Sequence, residues 1–194
     1  MIIESNELKA RVSESRAIAA ISAAFAGDPA ARWMYPDGWG YWEYFPDFAR
    51  AFAGKAFACD TADDVEGVAC AALWLPPGIE PDEAAVVGVL QRTLRREVLD
   101  EVMAMLGQMA QFHPAGPHWY LPMIGVDPHE QGRGFGSALL RQGMDRCDRD
   151  QLPAYLESTN LRNVPLYERF GFKAVGEIKT KTSPLIIPMI RQAQ

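Results

Sequence analysis

The chain has 194 residues, of which 48% are hydrophobic and 23% charged, with a formal net charge of −6. That balance belongs to an ordinary globular protein with a full-sized core, so one domain over 1–194 is expected. No Lys/Arg-rich block suits nucleic acid, no apolar run reaches membrane-span length, and no basic-then-apolar leader opens the chain, so a cytoplasmic protein without nucleic-acid or membrane partners is expected.

Cys59, Cys70 and Cys147 are odd in number and widely spaced, and they form no C-x-x-C pair. Neither a zinc site nor a disulfide framework follows from them, and no metal is expected. Two readings of the N-terminus stand. In the preferred one, a short strand over 8–12 precedes a helix over 13–25 capped by Ser13. In the other, Asn6 caps a single longer helix. Gly27-Asp28-Pro29 ends the element. Residues 30–58 concentrate aromatics. Phe45, Phe48 and Phe52 fall at helical intervals and read as core. Trp33, Tyr35 and Trp39, around the turn Tyr35-Pro36-Asp37-Gly38, read as core or as the wall of a substrate cleft.

Residues 55–59 and 68–75 read as two strands around a turn at Thr61-Ala62-Asp63-Asp64 and Gly67. Pro76-Pro77-Gly78 stops the second strand. Asp82 caps a helix through Leu90, and another helix runs through Val98, Val102, Met105 and Met109. An apolar strand over 119–126 breaks at Asp127-Pro128. Gly132, Gly134 and Gly136 follow at alternate positions, and a helix runs on to about 148. A short strand over 154–158 comes next, and the strand–helix–strand order implies a parallel pair. A short helix over 164–170 and strands over 172–178 and 184–190 complete an α/β (α+β) pattern.

A buried strand, a glycine turn and a helix N-terminus in sequence make an anion site. The first helical amides lack internal partners, the helix dipole adds partial positive charge, and glycine lets the backbone approach a phosphate. The P-loop lysine is absent, and Ser137 stands where G-x-G-x-x-G needs its last glycine, so a nucleotide-dependent enzyme is disfavoured. Glycines serving only close packing remain the plain alternative.

The run Gln131-Gly132-Arg133-Gly134-Phe135-Gly136 resembles the Q/R-x-x-G-x-G/A acetyl-CoA loop of the GNAT N-acetyltransferases. Downstream, Leu156-Glu157-Ser158-Thr159-Asn160 and Val164-Pro165-Leu166-Tyr167-Glu168-Arg169-Phe170-Gly171-Phe172 resemble that family's ending, L-x-x-x-x-N-x-x-A-x-x-L-Y-x-x-x-G-F. Asn163 stands where many members have alanine. The segments AFAGDPAARWMYPD, HWYLPMIGVDPHEQGRGFGSALL and YLESTNLRNVPLYERFGF look like those of puromycin N-acetyltransferase and its relatives.

The resemblance implies the GNAT fold: a mixed, mostly antiparallel sheet of about seven strands with a central splayed parallel pair, flanked by helices. It implies an acetyl-CoA-dependent transfer to a primary amine, most simply of a small molecule, directly within a ternary complex. Gln131, Gly132, Arg133, Gly134, Phe135 and Gly136 would hold the pyrophosphate. Ile124 and Val126 would pair with the pantetheine arm, Gly125 would admit the strand irregularity, and Asn160 would bind the pantetheine amides. Tyr167 would protonate the departing thiolate. For the base, Glu157 is the first candidate, with His113 or His118 as relays. A protein amine acceptor and a non-catalytic acyl-CoA-binding module of the same fold are the alternatives, with a monomer or homodimer expected.

Overall fold

The structure is a computed structural model and describes residues 11–194. Eight α-helices are found among these residues: α1 Glu14–Phe25, α2 Pro29–Met34, α3 Gly38–Ala53, α4 Lys55–Ala58, α5 Glu83–Thr93, α6 Arg96–Phe112, α7 Phe135–Asp150 and α8 Val164–Arg169. The strands are β1 Ala62–Asp63, β2 Cys70–Leu75, β3 Trp119–Val126, β4 Ala154–Ser158, β5 Lys173–Ala174 and β6 Ile187–Arg191, in the sheet order β1-β2-β3-β4-β6-β5. All neighbours are antiparallel except β3 and β4, which are parallel. No helix among the described residues is long and apolar enough to cross a membrane.

The centre of the sheet is buried on both faces, while the edge strand β5 is exposed. Along β2, Ala71, Leu73 and Leu75 join the core under α1–α6, while Cys70, Ala72 and Trp74 join the core under α7 and α8. A strand covered on both sides reads as an unbroken apolar run, which is how 68–75 appears in the sequence. On the second face, α7 approaches so closely that a Cβ on Gly143 would lie 2.3 Å from the Trp74 ring. The short β1 is held by charge: Asp63, buried, takes two hydrogen bonds from Arg146 of α7 at 3.0 and 2.6 Å.

The mixed sheet with one parallel pair matches expectation, but it has six strands among the described residues rather than seven. Residues 55–59 are not a strand; Lys55–Ala58 form a helical turn continuing from α3 through Gly54, and Ala56 packs into the core. The expected strand over 8–12 lies mostly outside the described residues, and residues 11 and 12 are irregular. The expected strand over 172–178 keeps only Lys173–Ala174 and an isolated bridge from Ile178 to Ile186. Between them, a Cβ on Gly176 would sit 2.2 Å from Phe112, so the chain is pressed against the end of α6.

The decisive irregularity lies in β3. Leu73 pairs with Met123 and Leu75 with Tyr120, so Leu121 and Pro122 together oppose Trp74. This is a bulge, and proline suits it because it has no N–H to give the ladder. The extra residue reverses which side chains face which layer. Trp119 and Leu121 face α7, and Tyr120 faces the α1 side. Beyond the bulge, Met123 faces the α1 side, while Ile124 and Val126 face α7. Gly125 was expected to admit the irregularity. It serves packing instead, since a Cβ there would meet Ala24 Cβ at 2.6 Å.

Candidate active site

Below the bulge the parallel pair is joined: Trp119 matches Ala154, Tyr120 matches Tyr155, and the Trp119 amide donates to the Pro153 carbonyl at 2.9 Å. The pairing stops there although both strands continue. The Asp127 amide donates to Ala69 on the β2 side at 2.8 Å. By alternation, the amides and carbonyls of Val126 and Ile124 point the other way, into the opening between β3 and β4. Gln131 reaches in there, its Nε2 donating to the Val126 carbonyl at 3.0 Å. The opening is a cleft of about 690 Å³, within the usual range of small-molecule sites of about 300–1,000 Å³.

At one end the cleft meets the glycine loop. Gly132 and Gly134 have φ of +76° and +88°, which L side chains rarely adopt, and a Cβ on either would meet nothing within 4 Å. The loop is therefore open, not packed shut. Gly134 is the N-cap of α7 and no side chain caps the helix. The first helical bond runs from the Ala138 amide to the Gly134 carbonyl at 3.0 Å, so the amides of Phe135, Gly136 and Ser137 precede the ladder. No acidic residue occupies the first turn to offset the dipole.

The other end holds the titratable groups. Glu157 is buried on β4, and its Oε2 accepts from the Tyr120 hydroxyl at 2.9 Å. Its Oε1 has no hydrogen-bond partner within the protein but lies 3.4 Å from His113 Nε2. His113 is packed against Tyr120 and Tyr155, with ring centroids 4.7 and 4.4 Å away. Its Nδ1 is 3.2 Å from His118 Nε2, and His118 Nδ1 is 2.8 Å from the Gly116 carbonyl. A carbonyl only accepts, so His118 carries a proton on Nδ1. In the neutral ring its Nε2 then accepts from His113 Nδ1, which leaves His113 Nε2 as a lone pair facing a carboxylate oxygen. That contact is favourable only when a further proton lies between Glu157 and the two rings.

Tyr167, on α8, is buried against Phe172 and lines the cleft with Ile124, Leu156 and Glu157. Burial, and then the charge of Asp28, push its phenol well above the ordinary tyrosine value. Asp28 is buried at the N-cap of α2, where Oδ1 accepts from the amides of Ala30 and Ala31. Its Oδ2 accepts from the Thr159 hydroxyl at 2.7 Å. Burial raises the Asp28 carboxyl above the usual range, against the lowering by its hydrogen bonds to Thr159, Ala31 and Ala30.

Ile124, Val126, Gln131, Gly132, Gly134, Phe135, Gly136, Glu157, Asn160 and Tyr167 all line this one cleft. Asn160 does so while its Oδ1 accepts from the Arg162 amide at 3.1 Å, leaving its Nδ2 for a ligand. Arg133 does not line it; the guanidinium pairs with Glu130 and lies over the Phe135 ring. Nor do the three aromatics expected in its wall. Trp33 Nε1 donates to Thr182 at 3.0 Å, the buried Tyr35 hydroxyl bonds Thr93 at 2.9 Å, and Trp39 is 70% exposed, edge-on to Tyr44. Asp28 and Thr159 escaped the sequence reading as site residues. Asp-Pro at a helix start signals only a cap, and the partner lies 131 positions away.

A mixed sheet split after a bulged strand, with a glycine-lined helix end at the mouth of the split, is the architecture of the GNAT fold. Consistently, a model of the Acetyltransferase (GNAT) family matches residues 28–172. The chain belongs to this family of acetyltransferases. It is 31% identical over 138 residues to a mycothiol acetyltransferase of Clavibacter michiganensis subsp. michiganensis, covering 62% of this chain and 43% of that one. An uncharacterized N-acetyltransferase of Schizosaccharomyces pombe is 48% identical over 54 residues, covering 28% of this chain and 22% of its own. The chain thus spans less than half the length of these relatives. A Corynebacterium glutamicum structure, described as histone acetyltransferase HPA2 and related acetyltransferase, superposes with a TM-score of 0.63 at 25% identity, covering 93% and 91% of the two chains. An arylalkylamine N-acetyltransferase of Aedes aegypti shares the fold, with a TM-score of 0.63 at 11% identity, covering 95% and 97%.

Proposed function

We propose that the protein transfers an acetyl group from acetyl-CoA to a primary amine of a small molecule, directly in a ternary complex. The observation that carries this reading is the convergence on one cleft of an open helix N-terminus, two unpaired stretches of strand backbone, a buried carboxylate and a buried phenol. Acetyl-CoA supplies an activated thioester; the chain supplies everything else. The amides at the start of α7 and in the loop hold the pyrophosphate. Backbone groups of Ile124 and Val126, with Asn160 Nδ2, hold the pantetheine arm. An amide of the bulged strand faces the carbonyl oxygen where negative charge grows.

An alkyl ammonium, ordinarily near pKa 10.4, must lose a proton before its nitrogen can attack. Glu157 takes that proton, and the excess leaves through His113 and His118 toward the Gly116 turn. The nitrogen–carbon bond then forms and the carbon–sulfur bond breaks. The second amine proton ends on sulfur, with Tyr167 giving its hydroxyl proton to the thiolate and being refilled. The phenol is protonated throughout the physiological range, as it must be to give up a proton in this step.

A CoA-release assay over a panel of amines tests the reading, beside calorimetry with acetyl-CoA. Binding followed by turnover is expected. Acetyl-CoA binding with no turnover of any amine would leave a binding module in place of an enzyme, and no binding would remove both.

A further inference from the structure

A second cavity joins the cleft from the opposite side. It is narrow, about 60 Å³, and lies between α2, α3 and α6. Its inner wall is carbon and sulfur: Phe45, Phe48 and Phe52 from one helix, Met105 and Met109 from another, and Met34 behind them. No Lys, Arg or His lines it. Its polar lining is Asp28, Glu157 and Thr159, and all three also line the donor cleft, so the polar atoms ring the throat where the two spaces meet. Glu157 and Thr159 stand two positions apart, on the same side of the strand run, and Thr159 hands on to the Asp28 carboxylate. Glu157 Oε1 is buried there, with His113 Nε2 3.4 Å away as its neighbour on the far side.

From this geometry, and resting on the transfer reading above, we infer that the acceptor is a primary amine on a slender apolar arm. Its nitrogen sits in the throat between Asp28 and Glu157, and its arm runs into the phenylalanine–methionine cavity. Two carboxylates meet at the throat with no cationic side chain in the cavity lining; they are held by the amides of Ala30 and Ala31 and the hydroxyls of Thr159 and Tyr120, and their shared negative charge suits an ammonium from outside. The inner wall has no group to bond a hydroxyl or a second ammonium. An arm ending in either would lose its water with nothing in return. The volume corresponds to roughly four water-sized spheres, enough for a chain of a few carbons and too little for a sugar or a nucleoside. Methionine on two sides lets the wall yield to one or two carbons more.

The test sets pentylamine against 1,5-diaminopentane, which match in length and differ only at the far end. With acetyl-CoA saturating, kcat/KM for pentylamine is expected to exceed that for the diamine at least tenfold. Calorimetry on the protein alone is expected to show pentylamine binding and no diamine binding. Ala31→Leu, which fills the cavity, is expected to cut pentylamine kcat/KM at least tenfold, spare ethylamine and leave acetyl-CoA affinity unchanged. Met109→Phe serves if the first variant does not fold. Asp28→Asn keeps the cap and the shape, and is expected to raise the pentylamine KM at least tenfold with an unchanged thermal midpoint.

Equal or better turnover of the diamine, or of an amino sugar, overturns the inference and leaves acetyl transfer standing. Pentylamine binding that Ala31→Leu abolishes, without turnover, supports the cavity's ligand class and removes the transfer reading. Failure to bind pentylamine, with no turnover of any amine, overturns both.

Discussion

At the glycine loop the cleft presents main-chain amides, which Gly132 and Gly134 hold at dihedrals that other residues rarely adopt. At the inner cavity it presents side chains drawn from α2 and α3 and, much further along the chain, from α6. A backbone site depends on conformation and is nearly blind to side-chain identity. A side-chain site is the reverse. One end of the cleft should therefore answer to changes of backbone geometry and the other to changes of volume and charge, and each substitution below can break that division.

The largest effect is expected where the two ends meet. Tyr167→Phe keeps the packing on Phe172 and removes only the hydroxyl, so kcat should fall by about 10²-fold with little change in acetyl-CoA affinity. Single-turnover kinetics separate the chemical step from product release. A retained full rate would take the acid role from Tyr167. Next comes Gly134→Asp, which combines an unfavourable dihedral with a carboxylate at the helix end. Acetyl-CoA affinity measured by calorimetry should drop at least tenfold, and unchanged affinity would sink the phosphate assignment.

Gly143→Ala probes the scaffold behind the donor loop. Its methyl group would overlap the Trp74 ring, and overpacking of this kind costs about 1–3 kcal/mol, read as a lowered midpoint in chemical denaturation. A pH effect comes from Asp148, whose carboxyl is held below the usual range by paired bonds from Arg191 at 2.7 and 2.8 Å and by the Gln194 amide. A carboxylate with a lowered folded value stabilises fully above its unfolded value near 3.9 and loses that contribution as pH falls through the folded one. Asp148→Asn should accordingly be less stable than wild type at pH 7, with the gap closing on acidification. The smallest effect is expected for Arg133→Ala. Its guanidinium is spent on Glu130 and Phe135, so donor affinity should shift by less than about threefold, in the range of an exposed contact. A large loss would show that the loop relies on side-chain charge after all.

The same division explains what could be read from the sequence. The loop, the apolar strand before it and the helix after it are local patterns, and Tyr167 follows Asn160 at a fixed spacing, so the residues gathered at the loop end of the cleft were legible. The inner cavity was not. Aromatic residues clustered in 30–58, but composition does not say which helical face they occupy. Phe45, Phe48 and Phe52 line the cavity, while Trp33, Tyr35 and Trp39 brace Thr182, pack on Thr93 or face solvent. Residues 55–59 misled because Lys55 followed by four apolar residues fits a strand or a helical turn equally well, and only packing decides. The bulge carried a faint signal in Pro122, outweighed by the nearby Gly125.

The doubled position at Leu121 and Pro122 also fixes how the strand responds to a change of length. Removing Pro122 would restore an even ladder against β2, with Leu121 alone opposite Trp74 and Met123 still opposite Leu73. The faces would be kept as well: Leu121 on the α7 side would be followed directly by Met123 on the α1 side, and Gly125 would stay over Ala24. The deletion would take away the local bend of the strand and leave both cores as they are.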